Sequence, residues 1–265
     1  MARILITSYV MRDLVMYYIN SYLQRVFIPW LERYGYDYQL LYEENNTREN
    51  FEALVVDKDT VLLFGHGRPE YVTGYKYLPI LVACENDHLL KDKKVVATSC
   101  LTGRKLALTS INKGAKLYVG YLKEACLVVQ YCCEDLHNCD LVGKFDPLQD
   151  NLALPFLNVL FYPCYLVVQN YDPETIYNET IKVYDTMIDK ALEYSKELEA
   201  EGKREDAEAW SEVAKYLMWD KNAFTVIYSG EERPAPTTRR ELLPVTVSTV
   251  FALPICAVAM IIPRK

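Results

Sequence analysis

The sequence predicts an α/β protein: a three-layer α/β/α sandwich around a mostly parallel sheet, with a helical hairpin and a C-terminal apolar tail. Three observations carry that prediction. Apolar runs of strand length alternate with helix-periodic segments through the first half of the chain. The runs at 61–64 and 95–97 are continuously apolar, as strands covered on both faces are, and each ends in a segment rich in glycine or small polar residues. A proline- and charge-bearing stretch then separates everything before Gly230 from an uncharged C-terminal run.

In order, residues 4–9 read as a strand and 13–34 as a long amphipathic helix. Residues 36–42 read as a second strand, and 47–56 as a helix that Thr47 caps. A third strand ends near His66 and a fourth near Cys100, and residues 104–112 read as helix after Gly103. A further strand covers 116–121. The apolar stretch 152–168, with Pro155 and Pro163, is assigned to a core helix, with contact against a bilayer surface as the alternative. Asp172-Pro173-Glu174 opens a charged helix to residue 198, Glu201-Gly202 breaks it, and 204–220 form the second arm of a hairpin. The charges Lys190, Glu193, Lys196, Glu197, Glu199 and Glu201 read as its solvated face.

The chain of 265 residues, 51% of them hydrophobic, is long enough to bury a sizeable core. Its net charge of −7 comes from interspersed acids and bases, which gives no nucleic-acid footprint. Neither a G-x-G-x-x-G turn nor a Walker-type phosphate loop follows a strand, which argues against nucleotide chemistry.

The candidate chemistry lies at two strand ends. In an open α/β sheet the carboxyl ends of parallel strands line the ligand crevice, so His66 and Cys100 are expected at one rim. Glycines on both sides of His66 would let the backbone approach a substrate, and a helix after Gly103 would aim its N-terminus near the Cys100 sulfur. That environment, together with an imidazole, favours thiolate over thiol. Taken singly, Cys100 reads as a buried small hydrophobe and His66 as a loop residue; their joint placement favours a Cys/His hydrolase. His88 and His137 follow no comparable strand and carry little weight as the base.

The block ending in His66-Gly67, the block Ser99-Cys100-Leu101-Thr102-Gly103, and the segment Gly114-Ala115-Lys116-Leu117-Tyr118-Val119-Gly120 resemble the caspase-hemoglobinase superfamily of cysteine peptidases, closest to its gingipain branch. Phe224 to Glu231 is a weaker echo of the closing strand, without that branch's Asp-Pro. The resemblance implies a caspase-like catalytic domain over 1–232 that hydrolyses peptide bonds through a His66/Cys100 dyad and a thioester. It also implies an oxyanion site made by the backbone N–H groups of Gly67 and Cys100. A basic residue before the scissile bond is expected, and hence an acidic pocket, for which Asp13, Glu124 and Asp146 are candidates beside their plainer reading as surface carboxylates. No cofactor is expected, calcium entering only through the resemblance, since no EF-hand-like loop is visible and no metal site is assigned.

Eight cysteines with no signal peptide point to mostly reduced thiols. The cluster Cys132, Cys133 and Cys139, with His137 nearby, stays open between free thiols, a disulfide and a structural metal. Residues 233–241 read as a linker, and 242–263 as a transmembrane anchor with buried strands as the alternative. The expected protein is therefore membrane-associated through a single C-terminal pass, with its catalytic domain cytoplasmic and a peptide or protein as its substrate. Two rivals remain: a catalytically inactive, membrane-tethered interaction module, and a small-molecule-binding α/β domain.

Overall fold

The computed structural model describes residues 3–131, 133–229 and 259–260. Along the chain run β1 (Arg3–Ser8), α1 (Leu14–Tyr22), α2 (Ile28–Arg33), β2 (Asp37–Tyr42), α3 (Arg48–Val55), β3 (Thr60–Leu63), β4 (Gly67–Arg68), β5 (Tyr71–Thr73), β6 (Pro79–Val82) and β7 (Lys94–Ala97). Then follow α4 (Leu106–Asn112), β8 (Leu117–Tyr121), β9 (Val128–Val129), α5 (Leu154–Val168), α6 (Pro173–Ala200), α7 (Arg204–Ala223), β10 (Phe224–Tyr228) and β11 (Ala259–Met260).

Six strands form one sheet in the order β10-β8-β7-β3-β1-β2, parallel except for β10, which runs antiparallel to β8. Alternation along the strands sends side chains to two cores. Ile4, Ile6, Leu62, Val96 and Val119 pack against α1, α2 and α5–α7, while Leu5, Val61, Leu63, Val95 and Tyr118 pack against α3, α4 and β6. Helices thus cover both faces, which accounts for the continuously apolar central strands.

The predicted helix over 13–34 is interrupted rather than uniform. A π turn at Leu23–Phe27 joins α1 to α2 just before Pro29, which has no N–H to donate and whose ring would collide with the preceding turn of a regular helix. Thr47 caps α3 as expected, accepting the Asn50 N–H at 3.3 Å. The stretch 152–168 forms a core helix, with Phe156, Phe161 and Cys164 fully buried. The hairpin α6–α7 is also present; it buries Tyr184, Ile188, Val213 and Leu217 and leaves its predicted charged face exposed.

Two features were not foreseen. A three-stranded antiparallel sheet, β4-β5-β6, follows His66 directly, and α4 begins at Leu106, so residues 104 and 105 of the predicted helix are turn. The expected linker at 233–241 and most of the expected anchor at 242–263 lie outside the described residues. Within that span Ala259–Met260 pairs antiparallel with β9. Among the described residues no helix is long and apolar enough to cross a membrane.

Candidate active site

β3 and β7 are direct parallel neighbours with Leu63 opposite Ala97, so His66 and Cys100 emerge at matching positions beyond the two strand ends. Both line one cavity of about 510 Å³, whose wall also includes Met16, Tyr77, Glu124, Cys126 and His137. Main-chain packing fixes the pair. A Cβ at Gly67 would lie 2.3 Å from the Cys100 carbonyl oxygen and 2.9 Å from its nitrogen, and a Cβ at Gly65 would lie 2.2 Å from the Thr73 carbonyl oxygen. The two glycines therefore admit the protein's own backbone, where the sequence suggested a substrate's. Ser99 Oγ ties the same strand ends together by donating to the Gly65 carbonyl at 2.8 Å.

Asp13 organises the imidazole side. It is the N-cap of α1, where Oδ1 accepts the Met16 N–H at 2.9 Å, and it is fully buried. Its other oxygen, Oδ2, meets His66 Nε2 at 2.7 Å and His137 Nδ1 at 2.8 Å, and accepts from the Tyr77 hydroxyl at 3.2 Å. Burial opposes ionisation of this carboxyl, but the hydrogen bonds from His137 and His66 and the His66 charge outweigh it. They hold Asp13 well below the usual carboxylate range. The same contact raises His137 above the ordinary histidine value, against a smaller opposing effect of burial. A carboxylate at Nε2 makes that nitrogen a donor, so Nδ1 is the ring nitrogen left for other partners.

The thiol side is different. Cys100 Sγ accepts the Ala125 N–H at 3.3 Å, from the loop after β8. Burial pushes the thiol up to about 11, only partly countered by that N–H, so it is protonated near neutrality. The expected activation by a helix N-terminus is absent: the chain turns at Leu101 with φ of +64° and reaches α4 only at Leu106. Behind the loop, Cys126 N–H donates to Asp220 Oδ1 at 2.8 Å, while Oδ2 of this fully buried carboxyl has no partner. Burial raises Asp220 well above the ordinary value, opposed only by that one N–H.

Of the residues read from sequence, His66, Gly67, Cys100 and Glu124 line the cavity, and Asp13 lies behind His66 as its buried partner rather than as an exposed specificity group. Asp146 is not in the cavity wall; it pairs with Arg25 at 2.5 Å and caps the turn Pro147–Gln149. His88 is outside as well, its Nδ1 bonded to the Glu85 carbonyl at 3.0 Å. His137, given little weight from sequence, is the main addition. It sits on the turn Leu136–Asn138, which the Cys133–Cys139 disulfide brackets with Cα atoms 5.7 Å apart. The Cys139 N–H donates to the Arg12 carbonyl at 2.7 Å, docking the loop beside Asp13. A histidine next to paired cysteines in an otherwise polar segment was the only sequence signal for it.

No protein-family profile matches the chain. No curated protein matches it significantly either.

Proposed function

We propose that the protein is a cysteine peptidase of caspase-like, gingipain-related architecture, acting through Cys100, His66 and Asp13. The observation that carries this reading is the Asp13–His66 contact of 2.7 Å in a cavity that Cys100 also lines. The sheet order with its single antiparallel edge strand, and the helices on both faces, are compatible with a caspase-like sandwich.

In this mechanism Cys100 Sγ attacks the scissile carbonyl carbon as its proton passes to His66 Nδ1. The imidazolium is stabilised by the ionised Asp13, which also fixes the tautomer. His66 then returns the proton to the departing amine, leaving a thioester on Cys100. Water attacks that thioester, giving one proton to His66 while the carbon–sulfur bond breaks, and the thiol is regenerated. The backbone N–H groups of Gly67 and Cys100, two residues whose main chains pack closely, are the proposed oxyanion donors. Glu124 is the proposed carboxylate for a basic residue before the scissile bond.

The test is a peptide library with Arg, Lys, Asp or Asn at the cleavage position, run on the full chain and on Cys100→Ala. The expected result is cleavage by the wild type and a loss of about 10⁴-fold or more in the variant. Turnover that survives the substitution sinks the proposal. A second reading, a catalytically inactive interaction module, is favoured by the surroundings of the half-buried Cys100, whose Sγ accepts the Ala125 N–H and whose thiol burial raises to about 11. It predicts no cleavage and no acyl-enzyme with any of these peptides.

A further inference from the structure

Asp13, His66 and His137 each offer one ligand atom, and these atoms all lie within 4.8 Å of one another. We propose that they form a binding site for a divalent transition-metal ion of the zinc class. The residue types suit such an ion, since two imidazoles and a carboxylate are a common zinc donor set, whereas calcium and magnesium prefer oxygen alone.

The hydrogen bonding points the same way. Asp13 Oδ2 takes His66 Nε2, His137 Nδ1 and the Tyr77 hydroxyl at 2.7, 2.8 and 3.2 Å. A carboxylate oxygen offers roughly two lone-pair directions, so three donors compete for it. A metal ion removes that competition by replacing two N–H···O bonds with two nitrogen–metal bonds. Tetrahedral bonds of about 2.0–2.1 Å set ligand atoms roughly 3.3 Å apart, so each ring must withdraw from Oδ2 by a fraction of an ångström while the ligand nitrogens, within 4.8 Å of each other, draw together. Tyr77, which then keeps its hydrogen bond to Asp13, becomes the outer partner that orients the ligand.

The three ligands come from separate elements, and each is positioned in advance. Asp13 is fixed as the α1 cap, His66 is clamped between Gly65 and Gly67, and His137 is held by the disulfide and by the Cys139–Arg12 backbone bond. Both imidazoles face the cavity, so water completes the coordination.

Metal at His66 Nε2 also has a chemical consequence. A neutral imidazole carries one N–H, and that proton must move to Nδ1 when Nε2 binds the ion. Nδ1 then has no lone pair to accept the Cys100 proton, so the ion would inhibit peptide hydrolysis. This last step alone rests on the peptidase reading; binding does not.

The experiment is a zinc titration of the full chain by calorimetry, without thiol reductant, paired with cobalt(II) absorption spectra. One ion per chain is expected, unaffected by excess magnesium, with visible bands of low-symmetry cobalt and no near-ultraviolet thiolate band. His137→Ala, at a side chain that is 59% exposed, should weaken zinc by more than the roughly 10–100-fold typical of losing an outer-sphere partner. Asp13→Asn, which keeps the cap acceptor, should do the same, and circular dichroism checks that both variants fold. Unchanged affinity in His137→Ala, a thiolate band, or no binding at micromolar zinc each overturns the site. Where peptide turnover is measurable, the zinc level that halves it should rise in His137→Ala in step with Kd; inhibition that ignores the substitution overturns the inhibitory step while leaving the binding result to stand on its own.

Discussion

Asp13 and Asp220 are both fully buried, one behind His66 and the other behind the loop that holds Cys100, yet they sit on opposite sides of the ordinary carboxylate pKa. Asp13 receives a helix N-terminal N–H, two imidazoles and a hydroxyl, whereas Asp220 receives one backbone N–H and leaves an oxygen unpaired. Both side chains are fully buried, so the donors, together with the His66 charge beside Asp13, decide the difference. The cavity therefore has an electrostatically prepared imidazole wall and a neutral thiol wall. In the proposed peptidase, activation would have to occur at the thiol, through the loop carrying Ala125 and Cys126.

The largest effect that sharpens this contrast is expected at Asp13. Asn preserves the α1 cap acceptor but removes the charge that fixes the His66 tautomer, so Asp13→Asn should lower kcat by about 10²–10⁴-fold with little change in KM. An unchanged kcat would detach Asp13 from the chemistry. Next comes the thiol. With its pKa raised from 9.0 to about 11, Cys100 should be alkylated about 100-fold more slowly at neutral pH than an ordinary thiol, since only the thiolate reacts. Its rate should climb as pH approaches 11. Mass spectrometry of iodoacetamide adducts follows each cysteine separately, and fast neutral labelling of Cys100 would show that the thiol wall is already activated.

The smallest effect concerns Asp220. Its folded-state pKa lies above the unfolded value, so its contribution to stability is complete below the unfolded carboxylate pKa and is lost as pH rises toward the folded one. Asp220→Asn keeps an acceptor for the Cys126 N–H and cannot ionise. It should match the wild type in acid and exceed it by ~1–2 kcal/mol at pH 8, read from urea midpoints at both pH values. Equal midpoints at pH 8 would mean that Asp220 is solvated or paired there, and the contrast with Asp13 would collapse.

Much of this arrangement was legible locally. Continuous apolar runs gave β3 and β7, and equal offsets from two paired strands put His66 and Cys100 at one rim. The Thr47 cap, the core helix α5 and the Gly202 break between the hairpin helices are likewise local signals. What escaped was tertiary. The thiol environment depends on Ala125 and on a carboxyl at the end of α7, far away in sequence. His137 reaches Asp13 from a loop held by a disulfide and by the Cys139–Arg12 backbone bond, and cysteine spacing alone could not choose among thiol, disulfide and metal. Asp13 was visible as a residue but not in its role, because the same side chain that starts a helix also receives an imidazole from the segment after β3.

The glycines beside His66 restrict how the site can adapt. Main chain from Thr73 and Cys100 occupies the places where side chains at 65 and 67 would begin. The histidine's Cα is thus pinned on both flanks, and only its side-chain torsions remain free. A ligand in the cavity can swing the ring but cannot shift its pivot, so the range of the imidazole is an arc set by the backbone, and substitutions elsewhere in the wall will retune affinity more readily than reach.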